Sequence, residues 1–190
     1  MKGLSKATMI IAKILEIIFW IMAAAMLVLL TWSLFASPET IAAAADDIAM
    51  DSDLAVRGIT VIDAAGGLPL TRGGLAAFSV FGALLTGLIG MVLRNVYLII
   101  KTSRGETKLS RGATPFQPEN VRMLRQIGVF TIAIPILELF FSILVQLIFG
   151  AEYVEAHLDL SHVFLGILVL WLTQVFAYGA ELQAESDGLI

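Results

Sequence analysis

Residues 17–35 read IIFWIMAAAMLVLLTWSLF and contain no charged side chain. A helix needs roughly 20 mostly apolar residues to cross about 30 Å of hydrocarbon, so this stretch by itself predicts a membrane span. It is too long for a strand of a membrane β-barrel, which would also alternate apolar and polar positions. Working outward, LAAFSVFGALLTGLIGMVL at 75–93 repeats the pattern. A third run extends from about Ile127 to Phe149 and carries one acid, Glu138. A fourth extends from about Val163 to Ala180. With their flanks, the expected spans are about 14–36, 74–100, 127–149 and 162–181. Trp20 and Trp32, near the two ends of the first run, sit where aromatic residues anchor a helix at the membrane interfaces.

The first run has a second reading. Lys2 to Lys13 forms a basic segment ahead of it, and the alanines before Asp46 offer small-residue cleavage sites, as in a secretory signal. The run exceeds the roughly 7–15 apolar residues usual in such a signal, so an uncleaved span is expected. The whole composition agrees. Across 190 residues the hydrophobic fraction is 58% and the charged fraction 15%, against about 25% charged in a soluble domain. The chain is expected to be one all-α domain of four transmembrane helices covering 1–190.

Charge placement predicts the orientation. Basic residues near a span resist translocation and stay in the cytoplasm. With the N-terminus inside, Lys2, Lys6, Lys13, Arg94, Lys101, Arg104, Lys108, Arg111, Arg122 and Arg125 all fall inside, and only Arg57 and Arg72 fall outside. Both termini are therefore expected in the cytoplasm, with the chain in a bacterial cytoplasmic (inner) membrane.

Between the first two spans, Ser37-Pro38-Glu39 reads as a helix start, with serine as cap and proline in the first turn. The β-branched run from Val56 to Ile62 and the turn signal Ala65-Gly-Gly-Leu-Pro69 read as a small β-hairpin or ribbon. Asp46, Asp47, Asp51 and Asp53 read as a solvated face, with a cation or peptide site as the alternative. Before the third span, Thr114-Pro-Phe-Gln-Pro-Glu-Asn120 signals a turn and a new helix start. From Pro118 the apolar and basic positions separate, predicting a short interfacial helix that leads into the span. Arg122 and Arg125 there could hold anionic lipid.

Few residues carry chemistry. Absent cysteines exclude thiolate metal sites and cysteine nucleophiles. No nucleophile–base set, phosphate loop or dinucleotide fingerprint is present, so no enzyme, cofactor or direct nucleic-acid contact is expected. Glu152, Glu155, His157, Asp159 and His162 are metal-competent, but their spacing matches no metal motif and no metal is expected. Glu138 lies near the middle of its span, where a carboxylate costs about 2.5–3.5 kcal/mol on insertion scales. It should face other helices, near Thr173 and Gln174 or Thr31 and Ser33, as a structural hydrogen bond or as the working group of a small transporter or channel. Pro135 could kink the helix beside it. Gly82, Thr86 and Gly90 form a small-residue ladder, either for packing within the chain or for a homo-oligomer face. Glu181 and Glu185, four apart on one helical face, could pair with Arg122 and Arg125.

Two short motifs carry a resemblance. Gly179-Ala-Glu-Leu-Gln183, then Glu185 and Asp187, together with Pro115-Phe116, Glu119-Asn120 and Leu124-Arg125, resemble a bacterial four-span family known as domain of unknown function 2975. Members more often end in Asp-Leu-Thr and an apolar residue, where this chain has Asp187-Gly-Leu-Ile190. Members are described as encoded beside a small helix-turn-helix regulator. The resemblance implies a non-enzymatic sensor or sequestering partner of such a regulator. Its expected surface is Phe116, Glu119, Asn120, Arg122, Arg125, Glu181, Gln183, Glu185 and Asp187 on the cytoplasmic side.

Overall fold

A backbone in lipid has no water to bond, so each crossing segment must satisfy its own N–H and C=O groups, and the helix does this. The computed structural model describes residues 2–41, 43, 54–56, 59–61, 71–108, 110, 112–150 and 158–188. Four helices dominate: α1 (Lys2–Phe35), α2 (Arg72–Ser103), α3 (Pro118–Phe149) and α4 (Leu160–Asp187). Each contains a segment long and apolar enough to cross a membrane. The chain reads as a multi-pass membrane protein with four spans. The shortest helix, at ~1.5 Å per residue, is ~42 Å long, so every helix exceeds the hydrocarbon thickness and carries its ends beyond it.

The ends follow local chemistry. Ser37 Oγ accepts from Thr40 N at 3.3 Å, capping the turn at 38–41 as expected. Leu54–Val56 pairs antiparallel with Ile59–Val61. α2 stops on a glycine lock: Glu106 N–H reaches Lys101 O and Gly105 N–H reaches Thr102 O, with Gly105 at φ 75°. That left-handed residue is the usual C-terminal stop, and glycine adopts it without a Cβ clash. α3 begins with Pro118 at the position where a missing N–H costs nothing, and Val121 N–H donates to Gln117 O. α4 opens on Asp159, whose carboxylate accepts from Ser161 N at 2.9 Å.

One expectation is corrected. The segment from Pro118 is not a separate interfacial helix, because α3 runs unbroken through it to Phe149. Nothing between Gln126 and Ile127 interrupts the backbone ladder, so the basic turns and the start of the apolar span belong to one helix. The acids at 46–53, the turn at 65–69, and Glu152, Glu155 and His157 lie outside the described residues.

The helices divide between two compact units. One comprises Met1–Phe19, Leu88–Pro135 and Asp159–Ile190; the other comprises Trp20–Gly87 and Ile136–Leu158. In the second unit Phe81 stacks on Phe141 with centroids 5.0 Å apart, and Phe78, Leu85 and Val145 are fully buried. A Cβ on Gly82 would lie 2.8 Å from Met26 Sδ, so α1 and α2 approach closely there. Gly82, Thr86 and Gly90 are all buried, which assigns the small-residue ladder to packing within the chain. Such close approach holds membrane helices together where lipid supplies no hydrophobic drive. In the first unit α3 and α4 cross through glycines. A Cβ on Gly128 would lie 2.7 Å from Leu170, and one on Gly166 would collide with Ile132.

Candidate functional site

The described residues between α2 and α3 gather around one side chain. Gln117 is 1% exposed, and its Nε2 lies 2.7 Å from Thr114 O and 2.9 Å from Gly112 O. It also stands 3.4 Å from Thr102 O at the end of α2. Ser110 Oγ donates within reach of Thr102 O and Gly112 O. Gly112 holds φ 128°, a backbone state that side chains with a Cβ avoid. Asn120, fully buried, donates from Nδ2 to Ser103 Oγ at 3.0 Å and to Pro115 O at 2.9 Å. The loop is thereby tied to α2 on one side and to α3 on the other.

The same loop is joined to the end of α4. Thr114 Oγ1 donates to Gln183 Oε1 at 2.7 Å. The Phe116 ring meets Phe176 with centroids 5.4 Å apart and fills the space beside Gly179, where a Cβ would come within 2.6 Å of the ring. Gly179 is thus the one residue that lets the aromatic ring lie against the α4 backbone.

A groove of about 370 Å³ runs between the start of α3 and the end of α4. Pro118, Val121, Arg122 and Arg125 line one wall, and Ala177, Ala180, Glu181 and Ala184 line the other. A smaller cavity of about 100 Å³ touches Thr114, Phe116, Gln117 and Gln183. Arg122, Arg125, Glu181 and Glu185 are exposed. Among the described residues, no ion pair links either arginine to either glutamate. The anticipated pairing of these side chains is therefore not made, although Arg122, Arg125 and Glu181 share the groove.

The nine expected surface residues thus separate by role. Asn120 is buried and Gln183 half-buried, each bonded within the chain, and Phe116 keeps an exposed edge while its ring meets Phe176. Arg122, Arg125, Glu181 and Glu185 are presented outward, and Glu119 is half-buried in the first turn of α3. Asp187 is the last residue of α4. Gln117, Thr114, Ser110 and Phe176 join the site without having been expected from sequence. The signal for Gln117 was its place immediately before Pro118, where a helix-capping residue belongs.

Elsewhere, Glu138 is 8% exposed and Thr173 6%, whereas Gln174 is exposed. The hydroxyls named as neighbours of Glu138 donate to their own helices: Thr31 to Leu27 O, Ser33 to Leu30 O and Thr173 to Val169 O. Such back-bonding satisfies a buried hydroxyl locally. Glu16 is buried and pairs with Lys13 at 3.0 Å, and Lys13 and Lys101 approach the Tyr97 ring at 5.0 and 5.7 Å. At the start of α4 His162 Nδ1 lies 2.5 Å from Asp159 Oδ2. That hydrogen bond holds the Asp159 carboxyl below its ordinary range, with the Ser161 N–H acting in the same direction. Among the described residues, no group of three or more metal-competent side chains gathers.

Residues 107–190 match a family model described as Protein of unknown function (DUF2975). This is the family whose motifs the sequence resembles, and the matched segment contains every residue of the loop–α4 junction from Gly112 to Gln183 named above. No curated protein and no solved structure matches the chain.

Proposed function

From this match to a family of unknown function, we propose that the chain is a non-enzymatic regulatory protein of a bacterial inner membrane. Both termini face the cytoplasm, and the loop–α4 junction presents a docking surface to a soluble partner. The observation that carries this reading is the joining of the two family-like motifs. Thr114 to Gln183 and Phe116 to Gly179 bring segments about seventy residues apart into one ordered surface. Exposed Arg122, Arg125, Glu181 and Glu185 give that surface mixed charge. Mixed exposed charge sets partner choice and encounter rate more than it adds affinity. The partner the resemblance implies is a small helix-turn-helix regulator, which the chain would hold at the membrane.

The test is gentle detergent extraction of the tagged chain, cross-linking and mass spectrometry. Recovery of a small DNA-binding protein is expected, reduced about tenfold by Arg125→Glu or Glu185→Lys, since loss of a close charge pair at an interface costs ~1.5 kcal/mol or more. No recovery, or recovery indifferent to both changes, removes the proposal. Gly179→Ala, which displaces Phe116 without changing charge, should also lower it.

A second reading draws on the buried carboxylate of Glu138, since intramembrane acids mark ion and proton pathways. In that case the chain is a small transporter or channel. Cation or proton flux in proteoliposomes should then fall with Glu138→Gln; flux unchanged by that substitution excludes it.

A further inference from the structure

We propose that the groove between the start of α3 and the end of α4 seats a zwitterionic membrane lipid whose headgroup carries a primary ammonium beside its phosphate. Two guanidiniums, Arg122 and Arg125, stand on its α3 wall, and one carboxylate, Glu181, stands on its α4 wall. All three are exposed, and no ion pair joins them among the described residues. Opposite charges held in one groove without pairing leave one positive and one negative patch for a ligand bearing both signs.

Depth supports the same occupant. The apolar run of α3 begins at Ile127, so at ~1.5 Å per residue Arg125 and Arg122 lie ~3 Å and ~8 Å beyond it. The headgroup layer extends roughly 5–8 Å outside the hydrocarbon on each side, so both guanidiniums fall at phosphate level. Val121, Ala177 and Ala180 make the groove apolar between the charges, with room of about 370 Å³. The alanines keep the α4 wall low, and a glycerol backbone can lie against it. A purely anionic lipid would meet Glu181 as a like charge. A choline headgroup has no N–H to donate to that carboxylate, whereas a primary ammonium offers three.

This goes beyond the regulatory reading and does not depend on it, because lipid retention is read on the purified chain alone. The full-length protein is equilibrated with mixed micelles carrying equal amounts of phosphatidylethanolamine, phosphatidylglycerol and phosphatidylcholine, and retained lipid is counted by native mass spectrometry. Phosphatidylethanolamine should be retained above the other two. Arg122→Ala and Arg125→Ala should each lower retention about fivefold, which corresponds to the ~1 kcal/mol of one cation at the membrane surface, while Arg→Lys at either position should keep most of it. Glu181→Gln should abolish the preference over phosphatidylglycerol while leaving lipid bound. Equal retention of the three lipids, a preference for phosphatidylglycerol in the unaltered chain, or a preference that survives Glu181→Gln overturns the proposal.

Discussion

Gln117 carries two amide hydrogens, and four oxygens lie within 3.5 Å of its Nε2. The two shortest contacts, to Thr114 O and Gly112 O, take the hydrogens; Thr102 O accepts from the Gly105 N–H, and Ser110 Oγ is itself a donor. Removing this amide takes the donor from the half-buried Thr114 O and leaves Gly112 O to the Ser110 hydroxyl alone, at a cost of about 0.5–1.5 kcal/mol for each bond lost. Gln117→Ala is therefore expected to accelerate hydrogen exchange through residues 104–117 and to lower thermal stability, with helical content unchanged. Unchanged exchange in that loop would show that the amide is not what orders it. Phe116 shows the same dependence on a single partner: its ring position is allowed by the missing side chain of Gly179. Asn120 was legible as a polar residue in a motif. Its burial was not, because an asparagine three residues into a helix reads equally well as solvent-facing.

At the level of elements, the length of four apolar runs located all four helices, but the helices extend further than those runs. α2 continues to Ser103 and α3 begins at Pro118. The change of hydrophobicity near Ile127 suggests a separate interfacial piece before the span, yet α3 is continuous there. Hydrophobicity tells which solvent a turn prefers, whereas continuity of the hydrogen-bond ladder decides whether it is one helix, and only a breaking residue interrupts that ladder. Pro135 does not end α3, in keeping with the tolerance of proline in membrane helices whose freed carbonyl is satisfied nearby. The crossing of α3 and α4 through Gly128 and Gly166 was not readable. Glycines are common in membrane helices, and only the placement of Ile132 and Leu170 shows which ones a neighbour presses against.

For the whole molecule, the proposed topology yields a direct check. The chain has no cysteine, so single cysteines report side without background. Lys108→Cys, in the loop between α2 and α3, should react with a membrane-impermeant maleimide only from the cytoplasmic side. Ser37→Cys should react only from the opposite side, and both positions are exposed. The reverse labelling would invert the orientation and move the docking surface out of reach of a soluble cytoplasmic partner. Four apolar runs and the distribution of lysine and arginine determined from sequence alone that the chain spans a membrane and which orientation to expect. Both are one-dimensional properties: transfer free energy sums along a segment, and basic residues act by their nearness to it. Only the tertiary structure decided that the two family-like motifs touch, that Asn120 and Gln183 are joints, and that Arg122, Arg125 and Glu181 share a groove without pairing. Those outcomes depend on distances between residues far apart in the chain, which no local pattern records.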